Sequence, residues 1–247
     1  MRHYSVELAV PGGGRSGTVA VYGHWGRPVL VFPTEGGDAW EFARNGMIGA
    51  VEGLVDAGRV KLYCVDSFDA ETWSAHHLPL EERAWRHAAY ETWVLDAVVP
   101  HIRADTGEGA DIVTAGCSLG AFHALNFAFK RADLFPLALS FSGNYDPATW
   151  KSWGERGDAV YFNSPADYVA NLHGDHLAWL RQRLSVLLVC GQGRWEDTTG
   201  ALESTRRMGG LLAAKGIRHE LDLWGPDVPH DWESWRRQLA HHLPRFS

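Results

Sequence analysis

Cysteine is scarce: Cys64, Cys117 and Cys190 are the only three in a chain of 247 residues. An odd number, widely spaced and each set in an apolar stretch, argues against a disulfide framework or a zinc site and for buried thiols. Long apolar runs are missing too. Stretches such as Leu184 to Cys190 fall far short of the roughly 18 residues that a membrane span requires. There is no basic block, and 23 basic residues stand against 30 acidic ones for a net charge of -7. A nucleic-acid partner, which needs a clustered basic surface, is therefore not expected. The first residues, Met1 to Leu8, include Glu7 and lack the apolar centre of a secretory signal, so a cytoplasmic location is expected.

What is present is the balance of a folded globular protein, with 45% hydrophobic, 21% charged and 12% aromatic residues. The length suits one α/β domain over residues 1–247. Strand-length apolar runs at 28–32, 60–65, 112–115, 137–142, 184–190 and 220–224 alternate with helical periodicity near 41–56, 80–103, 119–130, 202–215 and 232–243. That alternation predicts a mostly parallel sheet with crossover helices. Runs at 4–10 and 17–22 are joined by a glycine-rich turn too short for a helix, so they should pair antiparallel at one edge and bring the total to about eight strands. Pro100 should kink or end the helix over 80–103. Residues 143–183 break the alternation with an aromatic, polar stretch that reads as a cap-like excursion.

Gly116-Cys117-Ser118-Leu119-Gly120 fits the G-x-S-x-G elbow, a turn tight enough to expose a serine hydroxyl between a strand and a helix. The pattern alone is weak, but small Ala115 and Ala121 flank it, as close strand–helix packing requires. A serine becomes a useful nucleophile only when an imidazole takes its proton. Of the 13 histidines, His230 is preferred, because it follows the last strand and comes after the serine in chain order. His123 lies one turn into the helix after Ser118, where helical geometry aims it along the axis. His241 and His242 sit at a helix C-terminus, a common place for solvated histidines.

The imidazole needs an acid in the loop after Cys190, where Glu196 and Asp197 are adjacent. Only one can reach the ring, and Glu196 is preferred, with Asp197 the alternative. Donors for an oxyanion are expected from the backbone amide of Leu119 and from that of Glu35 or Thr34 in the loop after 28–32. Trp40, Asp66, Ser67, Trp73, Trp150, Trp195 and Trp232 lie in or near segments that follow strands. A parallel sheet places its ligand crevice there, so they are candidate pocket residues, with loop packing or turn formation as the plainer alternative.

Together these motifs resemble the Putative esterase branch of the α/β-hydrolases, which includes S-formylglutathione hydrolases and mycolyltransferases. The resemblance spans most of the chain and rests on Val29-Leu30-Val31-Phe32-Pro33-Thr34, the serine elbow, Cys190-Gly191-Gln192-Gly193 and His230-Asp231-Trp232-Glu233-Ser234-Trp235. Two features depart from it: Arg194 stands where the acid is often found, and the lipase-type His-Gly-Gly sequence is absent. The resemblance implies an α/β-hydrolase fold with helices on both sheet faces and a serine hydrolase of small or medium carboxylic esters or thioesters. It implies an acyl-serine intermediate and no cofactor or metal. Acyl transfer by the same residues, or a non-catalytic binding role on the same fold, are the alternatives. The sequence is silent on whether the chain forms a homo-oligomer.

Overall fold

A computed structural model describes all residues 1–247. The chain forms β1 (His3–Ala9), β2 (Ser16–Tyr22), β3 (Arg27–Phe32), α1 (Glu41–Arg44), α2 (Met47–Ala50), α3 (Glu52–Asp56) and β4 (Val60–Val65). There follow α4 (Leu80–Trp93), α5 (Val99–Thr106), β5 (Val113–Cys117), α6 (Leu119–Lys130) and β6 (Leu137–Phe141). The last third adds α7 (Asp158–Tyr161), α8 (Pro165–Asn171), α9 (Gly174–Arg183), β7 (Ser185–Cys190), α10 (Ala201–Lys215), β8 (Arg218–Leu223) and α11 (Trp232–His242). One eight-stranded sheet runs in the order β1-β2-β4-β3-β5-β6-β7-β8. β1 pairs antiparallel with β2, and β2 with β4; the remaining pairings are parallel. This is the α/β-hydrolase fold.

Both faces are buried. Along β7 the side chains alternate, with Val186 and Leu188 in the apolar cluster beneath α4 to α10, and Leu187 and Val189 in the one beneath α1 to α3 and α11. A strand covered on both sides needs apolar residues at every position, which is why these segments read as continuous hydrophobic runs. The three cysteines are buried and unpaired. No helix is long and apolar enough to cross a membrane.

Three expectations need correction. Residues 41–56 form three short helices, because Gly46 at φ +73° re-aims the chain between α1 and α2, and Val51 at φ -123°, ψ 14° leaves helical geometry between α2 and α3. Of the two outcomes expected at Pro100, the helix over 80–103 does not end there but is distorted just before it. A π turn over Val94–Val98 carries α4 into α5, with the Val99 amide reaching back five residues to the Val94 carbonyl; widening the turn relieves the clash that a proline ring makes in an α-helix. Residues 143–183 are only partly an excursion, since α9 runs directly into β7 and is its crossover helix.

Candidate active site

β5 ends at Cys117 and α6 begins at Leu119, so Ser118 alone makes the turn, at φ +55°. Such a conformation is costly for a residue with a side chain and persists where its surroundings over-determine it. Here the Ser118 amide donates to the Phe141 carbonyl at 2.9 Å. The glycines make the turn possible: a Cβ at Gly116 would overlap the Gly120 backbone, and one at Gly120 would overlap the Phe32 and Pro33 carbonyls. The elbow thus brings α6 against the end of β3, next to the loop that follows that strand.

His230 Nε2 lies 3.0 Å from Ser118 Oγ, and His230 Nδ1 lies 2.9 Å from Glu196 Oε2. With the ring proton on Nδ1 and donated to Glu196, Nε2 is left to accept the serine hydroxyl. The His230 amide donates to the Arg194 carbonyl at 3.0 Å, which ties the histidine loop to the acid loop. Asp231 caps α11 by accepting from the Ser234 amide at 2.9 Å, and the Trp235 ring meets His230 edge-on at 4.9 Å.

Glu196 has no exposed surface. A buried carboxylate must be matched by donors, and four converge on it. Oε1 accepts from Ser142 Oγ at 2.6 Å and the Gly191 amide at 3.2 Å, while Oε2 accepts from His230 and from Cys190 Sγ at 3.4 Å. Asp197 is not brought to the ring: its Oδ1 accepts from the Thr198 amide at 2.8 Å, and it lines a neighbouring polar groove with Asp146 and Arg207. Ser142, itself at φ +53° and receiving the Trp235 indole N–H at 3.1 Å, was not expected from sequence. Its only local signal is a serine at the C-terminal end of a buried strand.

The Leu119 amide opens α6, in the first turn, where N–H groups lack helical acceptors. In the loop after β3 the Thr34 amide is already committed to Glu41 Oε2 at 2.8 Å, and the Gly36 amide to Asp69 Oδ2 at 3.2 Å. The Glu35 amide between them donates to no protein group. Thr34 is thereby removed from the candidate donors.

Ser118 and His230 open into a cavity of about 400 Å³. Trp73 and Trp150 line it, as expected, together with the unexpected His76, Asn144, Lys151 and Thr199. The two tryptophans meet at 5.5 Å, edge to face, and are joined from behind by Arg83, a buried guanidinium that donates to the Trp73 carbonyl at 2.8 Å and the Trp150 carbonyl at 3.4 Å. Burial lowers the affinity of this arginine for its proton. The other pocket candidates lie elsewhere. Asp66 accepts from the Thr18 and Ala39 amides, at 2.7 and 3.0 Å, and Ser67 donates its amide to the Gly37 carbonyl. Trp232 packs on Phe42 and Trp235, whereas Trp40 and Trp195 are exposed. None of these five lines the cavity.

The sheet order, the elbow between β5 and α6, and the histidine after β8 define an α/β-hydrolase. Residues 51–246 match the family model described as Putative esterase. The chain belongs to that family and is an α/β-hydrolase esterase. Among solved structures, a ferulic acid esterase is similar at 18% identity with a TM-score of 0.73, over 99% of this chain and 96% of that one. The S-formylglutathione hydrolase FrmB of Staphylococcus aureus is 12% identical, with a TM-score of 0.74, over 99% and 98% of the two chains. An S-formylglutathione hydrolase from Agrobacterium tumefaciens is 15% identical, with a TM-score of 0.73, over 98% and 93%. No curated protein matches the chain in sequence. At these identities the structural likeness carries the fold.

Proposed function

We propose that the protein hydrolyses small or medium carboxylic esters or thioesters through an acyl-serine intermediate, with Ser118, His230 and Glu196 as its catalytic residues. The observation that carries this reading is the hydrogen-bonded series from Ser118 Oγ through His230 to Glu196, at 3.0 and 2.9 Å. In the first step Ser118 Oγ attacks the acyl carbon as its proton passes to His230 Nε2. The carbonyl oxygen becomes an oxyanion facing the amides of Leu119 and Glu35, and Glu196 stabilises the imidazolium.

Collapse of the tetrahedral adduct breaks the bond to the leaving group, which takes the proton from His230 and departs. Water then repeats the sequence on the acyl-serine: His230 removes its proton, the acid is released, and the proton returns to Ser118. The cavity of about 400 Å³ favours a compact substrate. Its aromatic wall of Trp73 and Trp150 suits an apolar portion, and Asn144, Lys151 and Thr199 suit a polar one. Similarity to S-formylglutathione hydrolases and a ferulic acid esterase supports an ester or thioester as the substrate class.

The test is labelling with a fluorophosphonate probe followed by peptide mapping. Ser118 is expected to be the labelled residue, and Ser118→Ala to be unlabelled and inactive on p-nitrophenyl acetate. An unlabelled native protein, or an active Ser118→Ala variant, would overturn the reading.

A further inference from the structure

The loop that presents the Glu35 amide is held by a carboxylate on each side. On one side Glu41, the first residue of α1, accepts both donors of Thr34, the amide at 2.8 Å and the hydroxyl at 2.7 Å. The same carboxylate lies against Gly37, where a Cβ would collide with it. On the other side buried Asp69 accepts the Gly36 amide through Oδ2 at 3.2 Å, and its Oδ1 faces His123 Nε2 at 3.3 Å. Gly37 closes the turn by donating to the Thr34 carbonyl at 3.0 Å.

Neither acid forms an ion pair with a lysine or arginine. Burial pushes the Glu41 carboxyl upward, and the two bonds from Thr34 pull it back. A sequestered carboxylate without a cation is expensive unless donors satisfy it, and both acids draw donors from this one short loop. Of three successive amides, the outer two are engaged and the middle one is free.

We propose that Glu41 and Asp69 are positioning residues: by holding the Thr34 and Gly36 amides they fix the intervening peptide so that the Glu35 N–H faces the oxyanion formed at Ser118. The proposal rests on the serine-esterase reading of the same site. Without its clamps the loop keeps the Gly37–Thr34 turn, the Ser67 amide on the Gly37 carbonyl and the Ser74–Glu35 side-chain bond, but nothing fixes the two peptides that flank the Glu35 N–H, and Gly36 at φ +67° lets them reorient. An oxyanion donor works only when it is preorganised before charge develops.

The experiment compares p-nitrophenyl acetate with its thionoester counterpart in wild type, Ser118→Ala, Glu41→Ala, Asp69→Ala and the near-isosteric Glu41→Gln and Asp69→Asn. Sulfur is a weak hydrogen-bond acceptor, so the thionoester draws little help from the Glu35 amide. Each alanine variant is expected to lose about 10- to 100-fold in kcat on the oxygen ester. KM should stay within about threefold, and the thionoester should lose less than about threefold in kcat, because only the oxyanion contact is damaged. Gln and Asn keep an acceptor oxygen and should recover part of the loss while retaining the preference for harming the oxygen ester. If an alanine variant fails to fold, the isosteric variant carries the same comparison.

Equal losses on the two esters, or no loss on either, would overturn the clamp. Wild type inactive on both esters, or Ser118→Ala as active as wild type, would instead overturn the esterase reading itself.

Discussion

Ser142 Oγ donates a 2.6 Å hydrogen bond to Glu196 Oε1, the carboxylate oxygen that does not face His230. The two residues lie 54 apart in the chain, Ser142 directly after β6 and Glu196 in the loop that follows the adjacent strand β7. Their bond engages Oε1, while Oε2 faces the His230 imidazole and Cys190 Sγ, so in the proposed mechanism the hydroxyl helps to orient the carboxylate beside His230. Ser142→Ala strips a donor from a buried charge. It is expected to cost about 1.5–3 kcal/mol of stability, read from the urea midpoint, while an unchanged midpoint would mean that the serine does not share in holding the charge.

The two adjacent acids should separate cleanly. Glu196→Gln and His230→Ala are each expected to lower kcat by about 10³- to 10⁴-fold. Asp197→Asn and His241→Ala should stay within about twofold of wild type, because neither touches the serine–histidine pair. Steady-state kinetics on p-nitrophenyl acetate decides this, and a comparable loss at Asp197 would show that the acid had been misassigned.

Chain length offers a third test. In a cavity of about 400 Å³, each added methylene should contribute roughly 1 kcal/mol until the wall is met and cost affinity thereafter. Specificity constants for the acetate and butyrate esters are expected to exceed those for laurate and palmitate by about tenfold or more. Activity should not jump above the solubility limit of the substrate. A value still climbing at palmitate would contradict a compact pocket.

His87 is expected to make the core acid-sensitive. Its ring is buried against Trp73, Tyr90 and His123, and neither nitrogen has a hydrogen-bond partner. Burial first, then the neighbouring His123 and Lys130, hold its proton affinity well below the usual 6.5. The unfolded chain therefore binds a proton below pH 6.5 that the folded chain refuses. The stability contribution is complete above that value and is lost as pH falls, by up to about 1.4 kcal/mol per pH unit. His87→Phe should flatten the decline in Tm between neutral pH and pH 5, and an equally steep decline in that variant would place the acid sensitivity in another group.

Much of the fold was legible because its signals are local. β4 and α6 occupy the residues expected, since an apolar run of strand length and a helical period each depend on neighbours close in sequence. Ser118 was legible for the same reason: Gly116 and Gly120 announce a turn that other residues cannot make. Where sequence failed, backbone geometry intervened, as with Gly46 and Val51 dividing one expected helix into three and the π turn that carries α4 past Pro100.

The order of elements placed His230 beside Ser118, but which of the two adjacent carboxylates meets the ring, Glu196 and not Asp197, was decided by tertiary structure. It depends on Trp195 turning at φ +71° and on donors from β6, β7 and the histidine loop gathering around one carboxylate. The pocket wall was equally out of reach, because Arg83, which joins Trp73 to Trp150, lies 67 residues from the latter. The composition of the chain determined that it folds with strands and helices in alternation and where its backbone must turn. Which side chains face one another across those turns was decided by packing, since a buried charge or donor is satisfied by whatever the folded chain brings within about 3 Å, irrespective of separation along the sequence.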